Sequence, residues 1–240
     1  MALFITGDTH GDYSWSKLNS KNFLEGTHLT RKDFVLIAGD FGGVWDNSKS
    51  DKYVQNWYNE KPWTTLFVDG NHENFDLLAQ YPISEWNGGK VQFITPNVIH
   101  LMRGQVFDIE GIKIFIMGGA QSHDKWHRRE HESWWSQELP SNDEYEEAAR
   151  NLEKVDGKVD IIVTHCGPDH IQDIVGRGWY EHDKLTNFLQ ITSEMVEYKY
   201  WFMGHYHQDR CINLKHYICY HDIYRVVKKD NAIEVIKRNN

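Results

Sequence analysis

The sequence predicts an α/β fold in which two sheets pack face to face with helices outside. Three observations carry this. Five short aliphatic runs each end in a cluster of glycine and polar residues; segments able to form helices lie between them; and further apolar runs are spaced like antiparallel strands. Alternating strand and helix patterns are the mark of layered α/β architecture.

Taken in order, Leu3 to Thr6 runs into Gly7-Asp8-Thr9-His10-Gly11, and Phe34 to Ala38 into Gly39-Asp40-Phe41-Gly42-Gly43. Leu66 to Val68 precedes Gly70-Asn71-His72-Glu73. Ile161 to Val163 leads to Thr164-His165-Cys166-Gly167, and Trp201 to Met203 to Gly204-His205-Tyr206-His207. These runs are short, aliphatic and β-branched, as buried strands are. Lys52 to Trp63, Phe75 to Tyr81, Asp143 to Val155 and Asp183 to Tyr198 are expected helices. Val98 to Met102, Val106 to Glu110, Lys113 to Met117 and the tail from Ile218 to Ile236 are expected antiparallel strands, with a hairpin at Glu110-Gly111. The chain shows no linker, repeat or low-complexity stretch, so residues 1–240 are expected to form one domain.

Composition narrows the function. With 40% apolar and 25% charged residues the chain is ordinary for a globular protein. A net charge of -9 argues against general nucleic-acid binding, although bound divalent ions would weaken that argument locally. Cys166, Cys211 and Cys219 are odd in number and form no CxxC pair, which disfavours a disulfide framework or zinc ribbon. The N-terminal residues lack a basic region followed by a long apolar segment, and no apolar run approaches membrane-spanning length. The expectation is a soluble, cytoplasmic protein with reduced thiols and no membrane partner.

Ligands in open α/β sheets gather at the carboxyl ends of strands. All five polar clusters sit at such ends and are expected to share one cleft. On an extended segment residues i and i+2 point the same way, so Asp8 and His10 offer a carboxylate and an imidazole to one point, and His205 and His207 offer two imidazoles. Asp40 adds a carboxylate able to bridge two ions, Asn71 an amide oxygen and His165 another imidazole. A lone Asp-x-His is usually structural; five such clusters in order are hard to explain that way. Seven ligands exceed what one tetrahedral zinc takes and suit two divalent ions. The donor mixture favours manganese, with iron, zinc or nickel as alternatives, over calcium. Two ions roughly 3.5–4 Å apart can activate a bridging water for attack at phosphorus.

Together, Gly-Asp-Thr-His-Gly (7–11), Gly-Asp-Phe-Gly-Gly (39–43), Gly-Asn-His-Glu (70–73), Thr-His (164–165) and Gly-His-Tyr-His (204–207) resemble the calcineurin-like metallophosphoesterase superfamily, in its order and over nearly the whole chain. The resemblance implies a four-layer α/β/β/α sandwich of two mixed sheets flanked by helices. It implies that Asp8, His10 and His207 hold a first metal, that Asn71, His165 and His205 hold a second, and that Asp40 bridges. It makes His72 a catalytic group beside the scissile phosphate and not a ligand. The protein Ser/Thr phosphatases of this superfamily extend the second motif to Gly-Asp-x-Val-Asp-Arg-Gly. Here Gly43 and Val44 stand at the Asp and Arg positions, so the group that orients His72 is open between Asp46 and Asp69.

The expected activity is therefore dimetal hydrolysis of phosphate esters, with phosphodiester or nucleotide substrates ahead of phosphoproteins. A catalytically silent metal-binding scaffold is the alternative from another class, and His72 argues against it. One more segment draws attention. After Gly118-Gly119-Ala120, residues 121–131 read Gln-Ser-His-Asp-Lys-Trp-His-Arg-Arg-Glu-His, followed by Ser-Trp-Trp after Glu132. Lys125, Arg128 and Arg129 are expected to grip phosphate oxygens, and Trp126, Trp134 or Trp135 to stack on a base. His170, His182, His216 and His221 lack partners at ligand spacing and are expected to be surface or core residues.

Overall fold

The computed structural model describes residues 1–11, 13–230 and 232–238; position 231 of the expected C-terminal strand segment lies outside them. The strands are β1 (Leu3–Thr6), β2 (Phe34–Ala38), β3 (Thr64–Val68), β4 (Ile83–Trp86), β5 (Gly89–Thr95), β6 (Val98–Leu101) and β7 (Gln105–Ile109). They continue as β8 (Ile112–Met117), β9 (Ile161–Thr164), β10 (Tyr200–Met203), β11 (Arg210–Ile212), β12 (His216–Ile218), β13 (Ile223–Lys229) and β14 (Ala232–Lys237). One sheet has the order β14-β13-β1-β2-β3-β6-β5-β4 and the other β11-β12-β10-β9-β8-β7. Both are mixed: β1-β2-β3-β6 run parallel within the first, and β8-β9-β10-β12 within the second.

The inner core lies between the sheets. Leu3, Ile5, Leu36, Leu66 and Val68 of the first sheet meet Ile114, Ile116, Ile161, Val163 and Phe202 of the second. The outer face of the first sheet, with Phe4, Val35, Ile37 and Phe67, packs on Val54 and Tyr58 of α1 (Lys49–Asn59) and on Trp63. A short α2 (Phe75–Leu78) follows β3. The outer face of the second sheet, with Phe115, Ile162 and Trp201, is covered by α3 (Asn142–Glu153), α4 (Asp169–Gly176) and α5 (Lys184–Met195). The result is the expected four-layer α/β/β/α sandwich. Because β1, β9 and most of β2 are buried on both faces, they read as continuous apolar runs instead of alternating ones.

Several local details differ from expectation. Ser48 caps α1 by accepting from the Ser50 and Asp51 N–H groups, so the helix starts three residues early. It ends before Pro62, which disfavours helical geometry at the preceding residue. The hairpin β4–β5 was not expected, although its turn, Asn87 (φ 46) and Gly88 (φ 89), has the left-handed pair that such turns require. The turn at Glu110-Gly111 is of the same kind and is where the sequence places it. Helix α4 was also not expected. The C-terminal segment divides between sheets: β12 joins the second and β13–β14 the first. No described helix is long and apolar enough to cross a membrane.

Candidate active site

Three neighbouring strands of the first sheet, β1, β2 and β3, are followed within two or three residues by Asp8, Asp40 and Asn71. Two neighbouring strands of the second sheet, β9 and β10, are followed within one or two residues by His165 and His205. Their carboxyl ends meet across one cleft, and all seven expected ligands are brought together there.

The side chains form two overlapping groups. In the first, His10 Nε2 lies 2.9 Å from His207 Nε2, while Asp8 Oδ2 is 3.6 Å from the first nitrogen and 3.1 Å from the second. In the second, Asn71 Oδ1 sits 3.1 Å from both His165 Nε2 and His205 Nδ1. Asp40 Oδ2 lies between the groups, 3.4 Å from His165 Nε2 and 3.8 Å from His10 Nε2. Asp8, Asp40 and His165 are buried. The geometry that sends Asp8 and His10 to one point is not the extended backbone the spacing suggests: His10 is left-handed (φ 46). His205 (φ 66) and His207 (φ 49) are left-handed too, and their rings diverge into different groups instead of converging.

The packing around these groups is tight. Gly39 has φ 95, and a Cβ there would overlap the His165 ring. His165 Nδ1 is 2.9 Å from the Ala38 carbonyl, which orients Nε2 into the cleft. Asn71 Nδ2 donates to Ser122 Oγ at 3.0 Å, which turns Oδ1 toward the two imidazoles. Ser122 is held in turn, its N–H donating to Glu138 Oε2 at 3.1 Å. Asp40 Oδ1 accepts from the His72 N–H at 2.8 Å. Buried Lys17 donates from Nζ to the carbonyls of Gly7, Asp8 and Tyr220, pinning the loop after β1. Lys17, Ser122 and Glu138 were not foreseen. Only the position of Ser122, just after the strand-ending Gly118-Gly119-Ala120, hinted at a role.

The electrostatics ask for a cation. Burial would raise the Asp8 carboxyl, but the His10 and His207 imidazoles and the charge of His165 hold it well below the usual range. Asp40 is lowered likewise against burial, chiefly by His165. Burial disfavours a charged His165, yet Asp40 and Asp8 outweigh it and push the ring up to about 10. Burial and the neighbouring His165 drive His205 down to about 3. Asp8 Oδ2 is buried with no well-aligned hydrogen-bond donor, its near neighbours being the His207 and His10 ring nitrogens at 3.1 and 3.6 Å. Carboxylates, ring nitrogens and an amide oxygen thus face one space with few donors among them. Such a donor set fits metal ions, and Asp8-His10-His207 and Asp8-Asp40-His165 are each close enough to ligate one.

The His72 ring lies 5.4 Å from that of His10. Arg128 lies against it, Nη1 3.3 Å from Nδ1 and Nη2 3.4 Å from Nε2. Asp124 anchors that guanidinium at 2.9 Å through Nε. Burial lowers the His72 pKa, Asp40 opposes this, and Arg128 reinforces it. Neither expected orienting group touches the His72 ring. Asp69 is bound by His100 at 3.1 Å and by Arg103 Nε at 2.7 Å, and Asp46 accepts from the Ser48 N–H.

The segment after β8 therefore does border the cleft, but not with every residue singled out. Lys125 lines a cavity beside His205. Arg129 instead points to solvent, 82% exposed and 3.7 Å from Glu132, so it is not brought to the cleft. Trp135 is buried and donates to Asp76, which removes it as a stacking surface; Trp126 is exposed. His170 and His182 pair with Gln190 and Asp173, and His216 is buried against Tyr198, as expected for residues outside the site.

Residues 1–209 match the family model described as calcineurin-like phosphoesterase. The chain belongs to that family. Its members are hydrolases of phosphate esters built around a dimetal centre. A lariat debranching enzyme from Gallus gallus is 24% identical, aligned over 86% of this chain and 42% of its own length. That from Drosophila melanogaster is 25% identical over 86% and 43%. This family member spans less than half the length of these relatives. A solved sulfate thiohydrolase from Termus thermophilus aligns with 98% of this chain and 56% of its own, at 12% identity and a TM-score of 0.47.

Proposed function

We propose that the protein hydrolyses a phosphodiester with two divalent metal ions, manganese first among the candidates. Asp8, His10 and His207 would hold one ion, Asn71, His165 and His205 the other, with Asp40 shared. Ions there would supply charge compensation for the phosphate and a water acidic enough to act as nucleophile at neutral pH. Arg128, already anchored by Asp124, offers a forked donor for phosphate oxygens. His72, beside it and outside both ligand groups, is placed to hold or deliver a proton at the leaving oxygen. Moving Arg128 from the ring onto the phosphate would relieve the repulsion that disfavours a protonated His72.

The observation favouring a diester is that space opens on both sides of the centre. One cavity of about 340 Å³ adjoins His205 and Ser122; another of about 300 Å³ adjoins His10 and His72. A monoester carries one organic group and a diester two. The relatives' name, lariat debranching enzyme, points the same way. The test compares bis-p-nitrophenyl phosphate with p-nitrophenyl phosphate, with manganese added. The diester should be the faster substrate. Turnover of the monoester alone would overturn the reading, and a stoichiometry never exceeding one ion per chain would overturn the two-metal part.

A further inference from the structure

We infer that Trp126 and Trp179 form a stacking site for a nucleobase on the His205 side of the centre; this rests on the phosphodiesterase reading and names the substrate class as a nucleotide ester. The chain has ten tryptophans. Among the described tryptophans only Trp126 and Trp179, 82% and 87% exposed, present most of their surface to solvent, and both line the same cavity. That cavity also contains His205, a proposed metal ligand, and Ser122, the partner of Asn71. An aromatic pair left uncovered beside a phosphate-cleaving centre is poorly explained by core packing, which buries or half-buries the other eight.

Both indoles project from anchored backbone. Helix α4 ends in two successive left-handed residues, Arg177 (φ 50) and Gly178 (φ 86), which redirect the chain at Trp179. The next residue, Tyr180, packs inward, its ring 4.6 Å from His123 and 5.4 Å from Tyr206. Trp126 sits in a single turn, Lys125–His127, closed by the His127 N–H donating to the Asp124 carbonyl and by the Arg128–Asp124 ion pair. The segments carrying the two indoles are thus both anchored, and both indoles belong to the lining of the one cavity. Gln121 and Glu181, also in the lining, supply an amide and a carboxylate for the polar edge of a base. A base offers a flat face to the indoles and N–H and C=O groups to that edge, whereas a purely apolar ligand would leave the polar lining unmatched. The other ester group then lies toward His72, the side on which the leaving oxygen would be protonated.

The experiment uses the metal-loaded full chain and two p-nitrophenyl diesters, thymidine 5′-(p-nitrophenyl phosphate) and methyl p-nitrophenyl phosphate. The leaving group is the same, so the ratio of their kcat/KM values reads the nucleoside alone. The wild type should prefer the nucleotide, and Trp126→Ala/Trp179→Ala should lower that ratio by roughly 5- to 150-fold, the scale of one stacked base. A wild type without preference, or equal losses on both substrates in the double variant, would overturn the stacking site. Quenching of tryptophan fluorescence by thymidine 5′-monophosphate, compared with inorganic phosphate, reads the same site without turnover. Saturable quenching by the nucleotide that the double variant loses supports the site even if neither diester is cleaved, a result that would sink the phosphodiesterase reading alone. No nucleotide-specific quenching would sink the stacking site alone.

Discussion

The two sides of the cleft centre use similar side chains but are supported differently. On one side Asp8 is buried, but the two imidazoles that share its group lie toward solvent: the His10 side chain is 19% and the His207 side chain 50% exposed, and the His207 ring is backed by the stacked Tyr220 ring, 4.7 Å between centroids. On the other side His165 is fully buried with Nδ1 against the Ala38 carbonyl, and Asn71 is oriented through Ser122 and Glu138. Partners behind a ligand fix its orientation and raise its affinity for metal, and losing one typically costs 10- to 100-fold. The two proposed sites should therefore be unequal. The supported inner site should keep its ion through dialysis, and the open outer site should exchange.

Asp40 lies between both groups, so its loss should affect both sites and have the largest effect. Asp40→Asn should reduce bound metal from two ions to one or none and lower turnover by roughly 1,000-fold, the upper range for removing one preorganised electrostatic group. Metal analysis beside steady-state rates checks this; full metal content with near-normal turnover would remove Asp40 from the centre. His72→Asn should act without touching either side. We expect two ions to remain and turnover to fall by roughly 100-fold. The loss should be smaller with a p-nitrophenolate leaving group, which needs little protonation, than with an alkyl one. Loss of an ion in this variant would make His72 a ligand.

Ser122→Ala sharpens the difference between the sides. It removes the acceptor that turns Asn71 and so should weaken only the inner site, by roughly 10- to 100-fold in metal affinity. His207→Ala should weaken only the outer one. Competition with a chelator, followed by metal content, separates the two; identical effects from both substitutions would show that the sites are not independent.

How far the sequence foretold this depends on whether the determinants are local. The cleft residues were legible because each follows a buried strand of four or five residues, and parallel strand ends gather on one edge of a sheet. The four layers were legible from the same runs. Asn87-Gly88 is a readable hairpin signal, whereas α4 is only eight residues long and has weak local marks. The turning of His10, His205 and His207 into left-handed backbone was not legible, since spacing alone suggests extended chain. Lys17, Ser122 and Glu138 act through tertiary contacts. Ser122 meets Asn71 from 51 residues away, and no pattern around either residue announces the pair. Arg129 shows the converse: a promising composition cannot say which of two adjacent arginines faces the cleft.

The smallest expected effect concerns Glu138, the last support of the inner side. Burial raises its carboxyl to about 7, against the lowering influence of the Ser122 hydrogen bonds and of Arg128. One oxygen, Oε1, is buried with no hydrogen-bond partner, which also disfavours the ionised form. The unfolded chain ionises this group near 4.5. Between about 4.5 and 7 the folded protein therefore holds a proton that the unfolded chain has released, and stability contributed by Glu138 must fall as pH rises through that window. Below it both states are protonated and the contribution is fully present. Glu138→Gln keeps the shape and leaves a carbonyl oxygen for the Ser122 N–H while removing the titration. Thermal unfolding of the metal-free protein should show the wild type losing Tm relative to this variant between pH 5 and pH 7.5, at roughly 2–4 °C per kcal/mol for a chain of this size. Parallel Tm curves across that range would mean that Glu138 is ionised in the folded state, and Ser122 would then be held by a carboxylate from acid to neutral pH.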